Sequence, residues 1–135
     1  MTEHCVFCKI ARNEAPASLV YDDNEVIAFL DARPVNEGHT LVITREHYVD
    51  IYDAPEEEIA HLFKIVKKVA YAVKKSEKAD GISIFQNNGR AANQVVFHLH
   101  VHVIPRYEGQ SSQRIREIVG QSRLDEVAAI IKEFI

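Results

Sequence analysis

The chain has 135 residues, of which 47% are hydrophobic and 27% are charged. This composition predicts a single globular domain over residues 1–135 and excludes a disordered chain. The net charge of −4 provides no basic surface for a nucleic-acid backbone, so no nucleic-acid partner is expected. No apolar stretch approaches the length of a membrane span, and no leader of basic and apolar residues is present, so we expect no membrane partner and a cytoplasmic location.

Strands are predicted in the first third of the chain. The apolar runs 19–21 and 26–30 each predict a short strand, because the polar residues Asp22, Asp23 and Asn24 between them are typical of a turn. A third apolar run predicts a strand over 40–44, which is entered through Gly38.

The clearest element is a helix predicted over 54–76. Asp53 is expected to cap this helix, with Glu56 as its capping-box partner, and Pro55 fits the first turn. Apolar residues then recur at helical spacing, at Ile59, Leu62, Phe63, Val66, Val69, Ala70 and Val73.

The rest of the chain predicts two more strands and a last helix. The strands are expected over 82–86 and 95–104, the second ended by Pro105, with a turn-rich loop after the first. Ser122 and Asp125 are expected to begin the helix. Because strands and helices are partly segregated along the chain, we predict an α+β fold with an antiparallel sheet of about five strands, one long helix and short terminal helices.

Three histidines, His98, His100 and His102, occupy alternate positions in the last predicted strand. Side chains alternate across a strand, so the three imidazoles are expected on one face, about 7 Å apart. A cluster of groups with near-neutral pKa indicates a chemical site. The residues alone leave two possibilities, a catalytic zinc held by the imidazoles or a nucleophilic histidine assisted by its neighbours.

The segment 98–104 matches the signature His-φ-His-φ-His-φ-φ, in which φ is apolar, and therefore resembles the histidine triad (HIT) family. Residues 29–31 with 38–43 resemble the nucleotide-binding half of that family, and Asn87, Gly89 and Gln94 resemble its phosphate-side loop. Residues 98–106 match the bacterial form, which often closes with Ile-Pro-Arg. The similarity covers most of residues 5–106 and is strongest to the branch that hydrolyses nucleoside phosphoramidates.

This resemblance implies a HIT-like fold and a homodimeric hydrolase or transferase. The enzyme would act at the α-phosphate of a purine nucleotide or nucleotide conjugate, without a catalytic metal. His100 would be the nucleophile that forms a nucleotidyl-histidine intermediate. His102 would stabilise charge on a phosphoryl oxygen, and His98 and His39 would complete the catalytic group.

The same resemblance implies nucleotide-binding roles for Phe29, Asp31, Asn87 and Gln94, besides His100 and His102. Asp31 would accept the ribose hydroxyls, Phe29 would line the base pocket, and Asn87 and Gln94 would contact the phosphate or leaving group. Each residue also has a structural alternative: Asp31 suits a turn and Phe29 the core, while Asn87 suits the shaping of a loop.

Cys5 and Cys8 have the spacing of half a zinc site. A redox pair is less expected, because the segment lacks a βαβ pattern. By resemblance to related proteins, His47 and His98 would complete a closed structural zinc site. His4 is a rival ligand, and two free cysteines are the alternative.

The sequence departs from the family pattern at three positions. Val95 replaces a common Ser or Thr, Asn93 replaces a usual Gly, and Thr44 replaces a Pro. The first two changes bear on the leaving group. Three alternative functions remain open: a dinucleoside polyphosphate hydrolase, a slow-turnover nucleotide-binding regulatory protein, and a zinc hydrolase that uses the three strand histidines as ligands.

Overall fold

The structure, a computed structural model, describes residues 4–111 and 116–135. Five strands form an antiparallel sheet with the order β1-β2-β3-β5-β4. They are β1 (Leu19–Asp22), β2 (Val26–Leu30), β3 (Thr40–Thr44), β4 (Gly81–Phe85) and β5 (His100–Arg106). The helices are α1 (Val6–Ala11), α2 (Glu56–Ser76) and α3 (Gln121–Lys132), with a 3₁₀ turn at Arg90–Ala92. The predicted α+β class with an antiparallel sheet is confirmed.

Apolar side chains are buried on both faces of the sheet. One face packs against α2 and α3, where Val42, Val101 and Val103 meet Leu62 and Val69. The other face packs against α1, mainly through aromatic and branched side chains: Phe7, Ile10, Ile27, Phe29, Leu41 and Ile43. Burying an apolar side chain of this size contributes about 1.5–3 kcal/mol. The second core therefore ties the short α1 to the face that carries the histidines.

The last strand, predicted over 95–104, starts and ends later in the structure, at His100–Arg106. The ladder begins at His100 opposite Ile43 of β3, whereas the Leu99 N–H donates to the carbonyl of Tyr48 in a loop. The strand then continues through Pro105. The Pro105 carbonyl accepts from Asn36 Nδ2 at 2.7 Å, so the backbone of this residue faces away from β4 and the ladder loses no hydrogen bond.

The predicted helix caps are wrong. Helix α2 has Pro55 at its N-cap, without a side-chain cap, and Asp53 instead accepts from the Val49 N–H at 2.9 Å. Helix α3 begins after Gly120 rather than at Ser122. Asp125 Oδ1 accepts a hydrogen bond at 2.6 Å from Oγ of Ser18, the residue just before β1. In both cases a tertiary or loop contact takes the carboxylate that sequence reasoning assigned to the cap.

Helix α2 is long and amphipathic. It spans 21 residues, with three glutamates in its first turn and Lys74 and Lys75 in its last. This charge distribution complements the helix dipole and replaces the missing side-chain cap. In the described part of the chain, no helix combines the length and apolar character that crossing a bilayer requires.

Candidate active site

Strand β5 places His100 and His102 on the sheet face opposite α2. Their register partners on β3 are Ile43 and Leu41, both part of the α1-side core. The residue between them, Val101, is buried in the core against α2. The predicted alternation therefore holds for these two histidines. His98 lies just before the ladder.

His100 has a fixed tautomer. Its Nδ1 lies 2.7 Å from the carbonyl oxygen of His98 and must donate to it, since a carbonyl only accepts. Burial lowers the pKa of His100, so the ring is neutral at pH 7. The lone pair is then on Nε2, which has no hydrogen-bond partner within the described residues. An imidazole in this state is a ready nucleophile.

His39 fixes the tautomer of His102. The Val35 N–H donates to His39 Nδ1 at 3.0 Å, so the proton of the neutral His39 ring is on Nε2. That nitrogen lies 3.0 Å from His102 Nδ1 and donates to it. The proton of His102 is therefore on Nε2, which is free to donate to a ligand.

Both rings of this pair are held neutral by their surroundings. Burial, followed by the repulsion that a protonated His102 would exert, lowers the pKa of His39 to about 2. Burial and His100 lower the pKa of His102 to about 4. Phe85 stacks on His102 with ring centroids 4.4 Å apart. The His39–His102 pair is therefore an oriented N–H donor rather than a cation at neutral pH.

A cavity of 760 Å³ opens over these histidines. His100 and His102 line it together with Asp31, Asn87 and Arg116. The remaining wall is mostly apolar, formed by Phe7, Leu41, Phe85, Val95 and Val96. A concave apolar site with a few convergent polar groups is typical of a small-molecule site.

Asp31 and Asn87 lie in this cavity. Asp31 Oδ1 accepts from the Arg33 N–H at 2.8 Å, which is the turn contact foreseen as its alternative role. Its Oδ2 accepts from Arg116 Nη2, also at 2.8 Å. The side-chain amide of Asn87 has no hydrogen-bond partner among residues 4–111 and 116–135. It is therefore available to a ligand.

Phe29 and Gln94 support the cavity from behind and are not among its lining residues. Phe29 is buried and packs edge-on against Phe7, with ring centroids 5.5 Å apart. Gln94 Oε1 accepts from the Gly89 N–H, and its Nε2 donates to the carbonyl of Val49, each at 2.7 Å. The amide of Gln94 thus holds the loop around Gly89 in place.

The two departures from the family pattern in this loop have different structural results. Asn93 has a φ of +71°, the left-handed conformation that glycine adopts freely and asparagine tolerates. The backbone therefore keeps a glycine-like shape. Val95 is exposed and presents an apolar side chain to the cavity, where a hydroxyl would otherwise stand.

The cysteine pair meets His47 and His98 in one cluster. Cys5 Sγ lies 3.3 Å from His98 Nδ1, and Cys8 Sγ lies 3.3 Å from His47 Nδ1. The four donor atoms all lie within 4.8 Å of one another. Tetrahedral zinc with bonds of about 2.0–2.3 Å places neighbouring donors about 3.3–3.8 Å apart, so the cluster fits this ion. The rival ligand His4 is not part of it.

Further contacts orient the His98 ring so that it could bind a metal ion. Its Nε2 lies 2.7 Å from the carbonyl oxygen of Thr44 and donates to it, which leaves the lone pair on Nδ1, toward the cysteines. Burial lowers the pKa of His98 to about 4. Burial and then Cys5 raise the pKa of the Cys8 thiol to about 11, so a nearby cation is needed to stabilise the thiolate at neutral pH.

Sequence reasoning missed Arg116, which lies beyond residues 98–106, the last segment that matches the family pattern. Its guanidinium contacts Asp31 across 85 positions of sequence. No local pattern signals a contact of that range. Phe7 and Phe85 were missed for the same reason, because only the folded sheet and α1 bring them to the histidines.

A model of the HIT domain matches residues 12–109. An uncharacterized HIT-like protein from Methanocaldococcus jannaschii is 46% identical over 95% of this chain and 98% of its own length. Adenylylsulfatase HINT3 from Arabidopsis thaliana is 39% identical over 77% of this chain and 53% of its own.

Solved structures agree with this match. A hypothetical histidine triad nucleotide-binding protein from Sulfolobus tokodaii has a TM-score of 0.89 and 40% identity, and the match covers 96% of this chain and 90% of that chain. A zinc-bound histidine triad protein from Mycobacterium smegmatis has a TM-score of 0.88 and 36% identity, covering 98% and 94%. The family predicted from the histidine signature is confirmed: the chain belongs to the histidine triad (HIT) family.

Proposed function

We propose that this protein is a cytoplasmic hydrolase or transferase of purine nucleotide conjugates, with nucleoside phosphoramidates as its substrate class. The observation that carries the proposal is the neutral His100 ring, whose Nδ1–H is bound to a backbone carbonyl at 2.7 Å. That bond leaves a nucleophilic Nε2 beside the cavity. It also stabilises the positive charge that the ring acquires when Nε2 forms a bond.

The proposed reaction has two displacements at the α-phosphorus. His100 Nε2 bonds to phosphorus while the P–N bond of the substrate breaks, and the amine leaves with a proton taken from the site or solvent. Water then attacks the nucleotidyl-imidazole, so the P–N bond to His100 breaks and the nucleoside monophosphate is released. His102 Nε2–H donates to a phosphoryl oxygen, a contact worth about 10²–10³ in rate at comparable sites.

The substrate contacts follow from the cavity. The Asp31 carboxylate accepts hydrogen bonds from the ribose hydroxyls, and the free amide of Asn87 donates a hydrogen bond to the phosphate. Phe7 and Leu41 supply the apolar wall of the base site, with Phe29 behind Phe7. The name of the Arabidopsis relative, an adenylylsulfatase, indicates that leaving groups other than amines occur in the family.

The decisive experiment traps the intermediate. Wild-type protein mixed with an adenosine phosphoramidate and quenched is expected to gain the mass of one adenylyl group, mapped to His100. His100→Ala is expected to lose the adduct and at least about 10³-fold in kcat with its fold retained. His61→Ala, on a partly exposed α2 histidine that pairs with Asp23, is the matched control. Turnover by His100→Ala near the wild-type rate would contradict the proposal.

We also propose a structural zinc ion held by Cys5, Cys8, His47 and His98. A closed set of four protein ligands leaves no position for a substrate, and thiolate ligands suit a reducing cytoplasm. Elemental analysis is expected to find about one zinc per chain in the wild type. The double variant Cys5→Ser with Cys8→Ser should lose the zinc and keep most of its activity, whereas His4→Ala should keep both. Metal-free wild-type protein would contradict this site.

The proposed assembly is a homodimer that pairs through a strand and the long helix. β4 is the edge strand next to β5, and its Ile84 is 47% exposed. Tyr71 on α2 is also exposed, and an exposed apolar edge favours pairing. Light scattering should give twice the chain mass for the wild type and for Tyr52→Asp, which alters an exposed loop residue, but the monomer mass for Ile84→Asp. A monomeric wild type would refute the dimer.

A further inference from the structure

Arg116 ties the segment that precedes α3 to the turn after β2. Its Nη2 donates to Asp31 Oδ2 at 2.8 Å, and its Nε donates to the carbonyl of Arg33 at 2.6 Å. Three residues further on, the Val119 N–H donates to the carbonyl of Ala32 at 2.9 Å. This two-point attachment gives the guanidinium a defined direction, toward the cavity that His100 and His102 line.

The carboxylate that Arg116 holds has a second donor within reach. Asp31 Oδ2 lies 3.6 Å from His39 Nε2, and that nitrogen already donates to His102 Nδ1 at 3.0 Å. The side chain of Asp31 is only 16% exposed, so solvent does little to satisfy its charge. The Asp31 carboxylate and His102 Nδ1 are therefore the two acceptors near the single N–H of His39.

We propose that Arg116 is a positioning residue that holds Asp31 off His39 and in place for the ribose hydroxyls. The role of Asp31 toward ribose rests on the function proposed above. The contact between Arg116 and Asp31 keeps ribose recognition separate from the proton chain Val35–His39–His102. In this way the C-terminal part of the chain contributes to a site otherwise built from the sheet and its loops.

A metal ion is a rival explanation of the same cluster, because Asp31, His39 and His102 have donor atoms within 4.8 Å of one another. The guanidinium opposes that explanation, since it already supplies a cation to Asp31 Oδ2. The Val35 N–H opposes it as well, since it occupies His39 Nδ1 and leaves the proton on the nitrogen that faces the cluster. A metal would have to displace both Arg116 and that proton.

Removal of Arg116 has a specific physical consequence. The poorly solvated carboxylate loses its charged donor and moves by less than 1 Å toward the nearest one, His39 Nε2–H, since an unpaired buried charge is costly. The charged and titratable groups that act on His39 and His102 are Asp31, Arg106, Arg116 and His100. Losing one cation and gaining contact with a carboxylate both raise the pKa of His39.

The first test measures binding without turnover. Calorimetry compares AMP with 2′,3′-dideoxy-AMP on the wild type, Arg116→Ala, Arg116→Lys and Arg123→Ala. The wild type should prefer AMP by about tenfold or more, as for hydrogen bonds to a charged group, and Arg116→Ala by less than about threefold. Lysine should restore part of the preference. Arg123 pairs with Glu37 outside this cavity, so its variant should match the wild type.

The second test follows the imidazoles by ¹⁵N NMR without ligand. Arg116→Ala should raise the pKa of His39 and shift the tautomer balance of His102, and adding Asp31→Asn should cancel most of that change. An Arg116→Ala variant with a sharper preference for AMP would overturn the proposal, because Arg116 would then be a competitor of ribose. Unchanged imidazole signals would overturn it too. If the wild type binds AMP and 2′,3′-dideoxy-AMP equally well, the role of Asp31 in the proposed function is wrong. The NMR measurement alone then decides whether Arg116 holds Asp31 away from His39.

Discussion

His39 offers a test of the hydrogen-bond chain behind His102, because it is 1% exposed and uses both ring nitrogens. His39→Leu keeps the side-chain size but removes the acceptor of the Val35 N–H and the donor to His102 Nδ1. A buried donor left without a partner costs about 1–3 kcal/mol. For a domain of this size that loss lowers Tm by about 3–12 °C.

The same substitution should reduce kcat more than it changes KM. Without the His39 donor, the proton of His102 redistributes between its two nitrogens, and the fraction with a free Nε2 lone pair cannot donate to a phosphoryl oxygen. Loss of one such donor costs about 10²–10³-fold in kcat. Because part of the His102 population keeps its Nε2–H, the expected loss is nearer 10²-fold. The assay is steady-state release of AMP from an adenosine phosphoramidate, combined with thermal unfolding and ¹⁵N signals of His102.

Two variants separate the chemistry from simple destabilisation. His39→Gln supplies an amide oxygen for Val35 and an N–H for His102, so it should recover much of both stability and kcat. His61→Leu, on the partly exposed side of α2, should leave kcat unchanged. If His39→Leu folds, shows an altered His102 tautomer and still turns over within about threefold of the wild type, the role given to this N–H donor is wrong.

Three further predictions concern stability. Burial raises the pKa of Glu77 to about 7, so the folded state binds a proton that the unfolded chain has lost. The stability that this group contributes is fully present below about pH 4.5 and is lost as pH rises through 7. In urea unfolding, Glu77→Gln should reduce this pH-dependent loss by about 1 kcal/mol, a modest value because the carboxyl is partly solvated. At Gly38 the φ is +96°, and an added Cβ would lie 2.7 Å from Glu77 Cγ; at Gly109 the φ is +77°, but an added Cβ would meet open space. Gly38→Ala should therefore lose more stability than Gly109→Ala. Equal losses would exclude a steric clash with Glu77 as the cause. Leu62 is 0% exposed, and Leu62→Ala should lower the free energy of unfolding by about 2–5 kcal/mol in denaturant. Phe63 is 39% exposed, and Phe63→Ala should lower it clearly less. The reverse order would contradict the packing of α2.

The strands were predictable where the local pattern alone decides them. Residues 26–30 and 40–44 are apolar runs bounded by turns, and β2 and β3 have those limits. The start of β5 was not predictable in this way. The alternation of the sequence continues upstream of His100, but the ladder begins where β3 offers its partner Ile43. The Thr44 carbonyl is instead taken by the His98 ring.

In the candidate site, too, some features follow from local sequence patterns and others depend on tertiary contacts. The histidine pattern identified the sheet face over which the cavity opens, and the grouping of Cys5 and Cys8 with His47 and His98 followed from resemblance. The His102 proton chain needed tertiary information. His39 lies 63 positions from its partner, and the tautomer depends on one loop amide, that of Val35. Sequence reasoning finds residues whose chemistry is local, and the fold decides how they share protons.

His98 serves two neighbouring sites with different atoms. Its ring points to the cysteines, while its main-chain carbonyl accepts the proton of His100. Every amino acid carries that carbonyl, so a mutation at position 98 would delete a proposed zinc ligand without deleting the acceptor that orients His100, the proposed nucleophile. The proposed metal site and the proposed catalytic site can therefore diverge independently during evolution, provided that the main chain before β5 keeps its course.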